Sequence, residues 1–155
     1  MKKEANKKGF TIIEVVLVLA IAGLIFLMVF VALPALQRSQ RDTQRRQDYA
    51  DLSSAIANFT TNNNGRLPAA GTLDAAQYIN KDGTDPKGNA YALTVVTMTD
   101  NMAITAPTDG QVFVYTHADC GNAESGPAQP TYNSSKRAYA IYGYLETGTF
   151  CQAND

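Results

Sequence analysis

One carboxylate, Glu14, stands at the threshold of a stretch that carries no charged or hydrogen-bonding side chain from Val15 to Ala35. A charge buried in hydrocarbon costs about 2.5 to 3.5 kcal/mol at the bilayer centre and less near its edge. Glu14 therefore either reaches back to the headgroups or exists to meet an opposite charge. The other residue types able to do chemistry lie far downstream. Cys120 and Cys151 can close a loop of about 32 residues, which chain-entropy reasoning values at about 3 to 4 kcal/mol; the alternative is two free thiols. A thiolate metal site is not completed, because His117 is the only histidine and there is no CxxC pair. His117 and Asp119, close together at a strand end, read as a turn pairing ahead of a catalytic dyad. The loop Asn80 to Tyr91 offers oxygen ligands to calcium, but it lacks EF-hand spacing, and Lys81 and Lys87 oppose a cation. Asn133-Ser134-Ser135 fits the glycosylation sequon. No GxGxxG, Walker loop or HExxH occurs, so neither an enzyme nor a metal or cofactor is expected.

The elements that must hold these residues follow from how composition is distributed. The chain has 155 residues, 45% hydrophobic and 17% charged, with a formal net charge of -1, which excludes a multidomain enzyme, a disordered chain and a many-span transporter. These averages hide strong segmentation. Lys2, Lys3, Lys7 and Lys8 stand against Glu4 at the start, an apolar block follows, and Arg38, Arg41, Arg45 and Arg46 form a collar interleaved with Asp42, Asp48 and Asp51. Beyond Phe59 acids outnumber bases, which argues against a general affinity for nucleic acid. An apolar run of about 20 residues is long enough to cross a bilayer of roughly 30 Å as a helix. An ordinary signal peptide ends in a small-residue cleavage site, whereas this block ends in Leu33-Pro34-Ala35-Leu36-Gln37. A plain anchor fits the length, yet the basic flanks balance and leave the positive-inside rule undecided.

The boundary itself, Lys7-Lys8-Gly9-Phe10-Thr11-Ile12-Ile13-Glu14 followed by the apolar run, resembles the class III leader of type IV pilins and type II secretion pseudopilins. The resemblance covers about 30 residues and is closest to a type IV pilin. It implies a cleaved leader at 1–9, a transmembrane and assembly half-helix at 10–36, and a globular head at 37–155. A prepilin peptidase is expected to cut after Gly9 and methylate Phe10. Glu14 is expected to meet the terminal ammonium of a neighbouring subunit and so fix its register. An unpaired Glu14 is intolerable among packed apolar helices, so the stagger that neutralises it is favoured. Gly23 and Pro34 are where the resemblance implies that filament assembly melts part of the helix, although the usual family proline falls nearer the leader, at about the position of Val31. The implied partners are further copies of the chain, other pilins, the peptidase, an inner-membrane platform with its ATPases, and membrane lipid before assembly. The implied location is the cytoplasmic membrane, then an extracellular filament.

Past Pro34 the pattern is amphipathic, with Tyr49, Leu52, Ile56 and Phe59 on one face. Asp42 and Arg46 are spaced for a surface ion pair, and Arg38, Arg41 and Arg45 share a face that meets anionic headgroups or acidic neighbours, or is simply solvated. Asn62-Asn63-Asn64-Gly65 reads as the helix stop, with Pro68 beyond. After a short helix over Leu73 to Ile79, strands are predicted at Tyr91 to Thr99, Met102 to Thr105, Gln111 to Thr116 and Ala138 to Leu145. Turns at Asp100-Asn101 and Pro107-Thr108-Asp109-Gly110 favour an antiparallel meander. The predicted class is α+β. A long N-terminal helix, half membrane-spanning and half amphipathic, packs on a small antiparallel sheet of about 4 strands, with a loop bounded by Cys120 and Cys151 near the C-terminus. That cysteine-bounded region also resembles the exposed C-terminal loop of many type IV pilins.

Overall fold

The computed structural model describes residues 9–73, 83–121 and 128–154. One helix, α1 (Ile12–Asn62), is followed by strands β1 (Ala92–Thr97), β2 (Gln111–Thr116), β3 (Ala118–Cys120), β4 (Pro130–Tyr132), β5 (Tyr139–Leu145) and β6 (Gly148–Ala153). The chain divides into two compact units, Met1–Gln37 and Arg38–Asp155, and α1 contributes residues to both. The helix ends where the asparagine run predicts. Asn64 and Gly65 take left-handed backbone angles (φ 56° and 80°), and the Gly65 amide bonds the Thr60 carbonyl at 2.8 Å.

In the second unit a four-stranded sheet runs β1-β2-β5-β6, and β3 with β4 forms a separate two-stranded sheet. The meander expected of the first two strands is corrected. β2 and β5, like β5 and β6, are antiparallel, but β1 pairs parallel with β2, Ala92 opposite Gln111 and Thr97 opposite Thr116. A parallel pair requires a crossover, and residues 98–110 provide it. The expected turn at Asp100-Asn101 does form, with Asn101 at φ 61° and Met102 N–H bonding the Thr99 carbonyl, yet no strand follows over Met102 to Thr105. That segment instead covers the sheet, where Met98 is buried and Ile104 packs beside it.

Alternation within the strands sends side chains to both faces. Val112, Val114, Tyr139, Ile141 and Leu145 meet Tyr49, Leu52 and Ile56 of α1, so the predicted helix stripe packs on the sheet, with Phe59 only half-buried. The opposite face, Tyr115, Ala140, Tyr142 and Cys151, is covered by Met98, Ala118 and Cys120. The cysteine-bounded excursion is therefore more than an edge loop, since β3 and β4 belong to the second layer of the head. The short helix predicted at Leu73 to Ile79 lies, beyond Leu73, outside the described residues.

Candidate functional site

The N-terminal segment is built around a helix cap. Thr11 precedes the first helical residue, Ile12, and Glu14 is in the first turn. The Thr11 N–H and Oγ1 each donate to Glu14 Oε2 at 2.9 Å, and the Glu14 amide reaches back to Thr11 Oγ1 at 3.4 Å. This is a capping box, which satisfies backbone donors that the first turn of any helix leaves free. The sequence reading missed Thr11, although threonine three residues before glutamate was the available signal. Within one chain the Glu14 carboxylate is thus occupied by its own helix start.

From Phe10 to Leu36 the side chains of this unit lie open: Phe10 is 89% exposed, and Met28 and Phe30 are each 75% exposed. A helix apolar on every side is stable only when lipid or other protein surrounds it. The segment is long and apolar enough to cross a membrane. Gly23 and Pro34 lie inside α1, which continues through both. Pro34 supplies no N–H to the helical ladder, and Gly23 has no side chain to restrain its backbone, so both are local weak points. Gly9 precedes the helix, and the rest of the predicted leader lies outside the described residues.

Within the arginine collar Arg38 is exposed, as a solvated face requires, but Arg41 and Arg45 turn to carboxylates of the same chain. Arg45 is fully buried, its Nη2 donating to Asp109 at 2.8 Å and Asp85 at 3.3 Å, and its Nη1 facing Asp42 and Glu146 at 3.5 Å each. Arg41 grips Glu146 with two parallel bonds of 2.6 and 2.8 Å, while Lys87 bonds Asp109 at 2.7 Å. Neither Arg41 nor Arg45 is a solvated cation. The Arg41 and Lys87 hydrogen bonds hold the Glu146 carboxyl down at about 2, against the opposing effect of burial. Burial pushes the Asp42 carboxyl up, but bonds from the Thr147 hydroxyl and the Glu146 and Thr147 amides outweigh it, and Asp42 titrates below its usual range. Asp42 consequently clamps the two-residue turn between β5 and β6 and does not pair with Arg46, whose guanidinium lies over the Phe150 ring. Three loops, those at Asp85, at Asp109 and at Glu146-Thr147, are thereby tied to one face of α1, a long-range convergence that residue spacing could not reveal.

The remaining candidates resolve in turn. Cys120 and Cys151 form the disulfide, joining β3 to β6. Asp85 does not wait for calcium: its oxygens take Arg45 and the amides of Lys87 and Asn89, which fold the described part of that loop into a tight turn. Among the described residues no cluster of three metal-ligating acidic, histidine or cysteine side chains occurs. Asp119 accepts from the Cys120 amide, and His117 is held in left-handed backbone (φ 59°) by bonds to the Ala138 carbonyl and the Asn133 amide, so each serves the bend from β2 to β3. Asn133 of the sequon accepts from the Ser135 amide.

Residues 5–30 match the family described as the prokaryotic N-terminal methylation motif, which is the class III leader of type IV pilins and pseudopilins. No curated protein and no solved structure matches the chain. Motif, exposed apolar helix and disulfide-bearing head together support a pilin-like or pseudopilin-like membrane-anchored precursor that carries a structural rather than an enzymatic family signature.

Proposed function

We propose that the chain is the structural subunit of a type IV pilus. A prepilin peptidase cuts after Gly9 and methylates Phe10, residues 10–36 rest in the cytoplasmic membrane, and an inner-membrane platform driven by ATPases extracts the subunit into a surface filament. Residues 37–155 then form the outer head. The observation that carries this reading is the methylation motif over residues 5–30 leading directly into an apolar helix that its own chain leaves open. Such a surface is stable in lipid and equally stable against identical helices, so moving between the two environments costs little hydrophobic energy. Glu14 supplies the register, pairing with the Phe10 ammonium of a neighbour; Gly23 and Pro34 are where the helix unwinds to fit the filament.

Glu14→Ala is expected to leave insertion and cleavage intact while abolishing filaments. Thr11→Ala, which removes the cap hydroxyl and leaves the charge, is expected to retain them. Wild-type filament yield from Glu14→Ala, scored by electron microscopy and subunit immunoblot, refutes the register role.

The second reading is a pseudopilin of a type II secretion system. Asp85-Pro86-Lys87-Gly88-Asn89-Ala90-Tyr91 resembles a segment of major pseudopilins, and its turn is anchored to α1 through Arg45. Long filaments outside the cell at natural expression support the pilus; their absence together with a secretion defect supports the pseudopilin. A surface domain anchored by an uncleaved leader, the third possibility, is distinguished by an intact mass that retains Met1 to Gly9.

A further inference from the structure

The acid-rich head contains a cleft whose charged lining residues, among those described, are all cationic. Among the described cations of the head, Arg41, Arg45 and Lys87 are paired with carboxylates, Arg46 lies on the Phe150 ring, and Arg38 is exposed on α1 outside the cleft. Arg66, Lys136 and Arg137 enter no ion pair with the described residues, and all three line the same cleft of about 550 Å³ together with Asn64, Thr116 and His117. Among the described residues no acidic side chain lines it. The cleft joins the C-terminal end of α1 to the bend after β2. Arg137 lies close against Gly65, where a Cβ would fall 3.0 Å from its Nη2.

Two further observations single out this place. His117 occupies left-handed backbone, which costs a non-glycine residue about 1 kcal/mol or more, and its Nδ1 is buried without a hydrogen-bond partner among the described residues. The α1 C-terminus carries partial negative charge, which explains one nearby cation but not three cations and an unsatisfied imidazole. Like charges gathered in a cleft repel one another, and a multiply charged anion relieves that repulsion. Guanidinium groups match the oxygens of tetrahedral oxyanions in a fork geometry, and the volume admits a small molecule and not a folded partner.

We propose that this cleft binds a phosphate group, free or as the monoester of a small molecule, through Arg66, Lys136 and Arg137, with His117 as an additional donor. The test is calorimetric titration of the full chain in detergent with inorganic phosphate and, separately, glycerol 3-phosphate. Saturable binding with Kd below about 1 mM is expected. Arg66→Gln and Arg137→Gln should each weaken it at least tenfold, and His117→Asn, which tolerates the same backbone angle, should weaken it severalfold. Arg38→Gln, a charge change outside the cleft, should leave it unaltered. Equal binding of the two ligands supports the free anion as the ligand; tighter glycerol 3-phosphate supports a monoester. Thermal unfolding of each variant checks the fold, and the exposed Arg66 keeps the test valid if Arg137→Gln proves unstable. The proposal is overturned by no saturable binding up to about 50 mM of either ligand, or by equal weakening in Arg38→Gln. It is also overturned if phosphate fails to bind while the Arg66→Gln/Arg137→Gln variant loses filaments, which assigns the cleft to a carboxylate of a second copy.

Discussion

Arg45→Met should unseat the carboxylates that gather on α1, and the cost can be apportioned among them. Asp109 retains Lys87 at 2.7 Å, Glu146 retains the paired bonds from Arg41, and Asp42 retains the Glu146 and Thr147 amides with the Thr147 hydroxyl. Asp85 is the exposed account. Its side chain is 0% exposed and Arg45 is its only ion-pair partner among the described residues, leaving just the amides of Lys87 and Asn89 at 3.0 and 2.7 Å. Removing one member of a buried pair costs about 3 to 5 kcal/mol, because the survivor stays charged and desolvated. The two amide bonds place this case at the lower end, about 3 kcal/mol. For a head of this size that corresponds to a fall in melting temperature of roughly 10 to 15 °C. The assay is urea and thermal unfolding of the mature chain in detergent, followed by the near-ultraviolet dichroism of the head tyrosines. Arg45→Met/Asp85→Asn, which removes the stranded charge as well, should recover more than half of the loss. A single variant costing under about 1 kcal/mol, or a double variant no better than the single, refutes the assignment of the cost to Asp85.

Acid should loosen the same network by a different residue. Because the folded-state Glu146 titrates at about 2 and its ordinary value is 4.5, its contribution is complete above about 4.5 and disappears as the pH falls toward 2. The urea midpoint of the native chain should fall through that window, and Glu146→Gln should flatten the fall. Gly143→Ala should destabilise the head by about 1 to 3 kcal/mol, since an added Cβ would collide with the Tyr49 ring, itself fixed by its hydroxyl on the Tyr144 carbonyl at 2.8 Å. Tyr49→Leu in the same background should restore part of it, and additive losses in denaturant titration would contradict a shared clash. Replacing Cys120 and Cys151 together by serine should cost about 3 to 4 kcal/mol from a loop whose ends are 31 residues apart, read as the unfolding difference between the native chain and the variant under oxidising conditions.

What sequence by itself determined is local or compositional. The apolar run and its leader motif are contiguous, so their reading needs no fold: helical length, membrane compatibility and the exceptional position of Glu14 all follow from neighbours in the chain. The Tyr49, Leu52 and Ile56 stripe, the asparagine and glycine stop, and the cysteines as bridge candidates were legible for the same reason, as was the placement of β2 and β5. Strand β6 was not, because Thr149, Gln152 and their neighbours lack a clear alternation and the strand exists by pairing with β5 across a two-residue turn. The direction of β1 was equally hidden: a tight turn at Asp100-Asn101 is compatible with a hairpin, and only the burial of Met98 and Ile104 against the far face of the sheet makes a crossover the better solution.

Tertiary structure also decided what the charges do. Asp85, Asp109 and Glu146 are distant from Arg45 along the chain, and one-dimensional spacing pairs Asp42 with Arg46 on a wet helix face. Folding instead buries Arg45, because Asp42 on its own helix and three carboxylates from separate segments together offset the desolvation of one guanidinium where a single surface partner could not. By the same logic Arg66, Lys136 and Arg137 became a single cationic cleft only when the end of α1 was brought against the bend after β2.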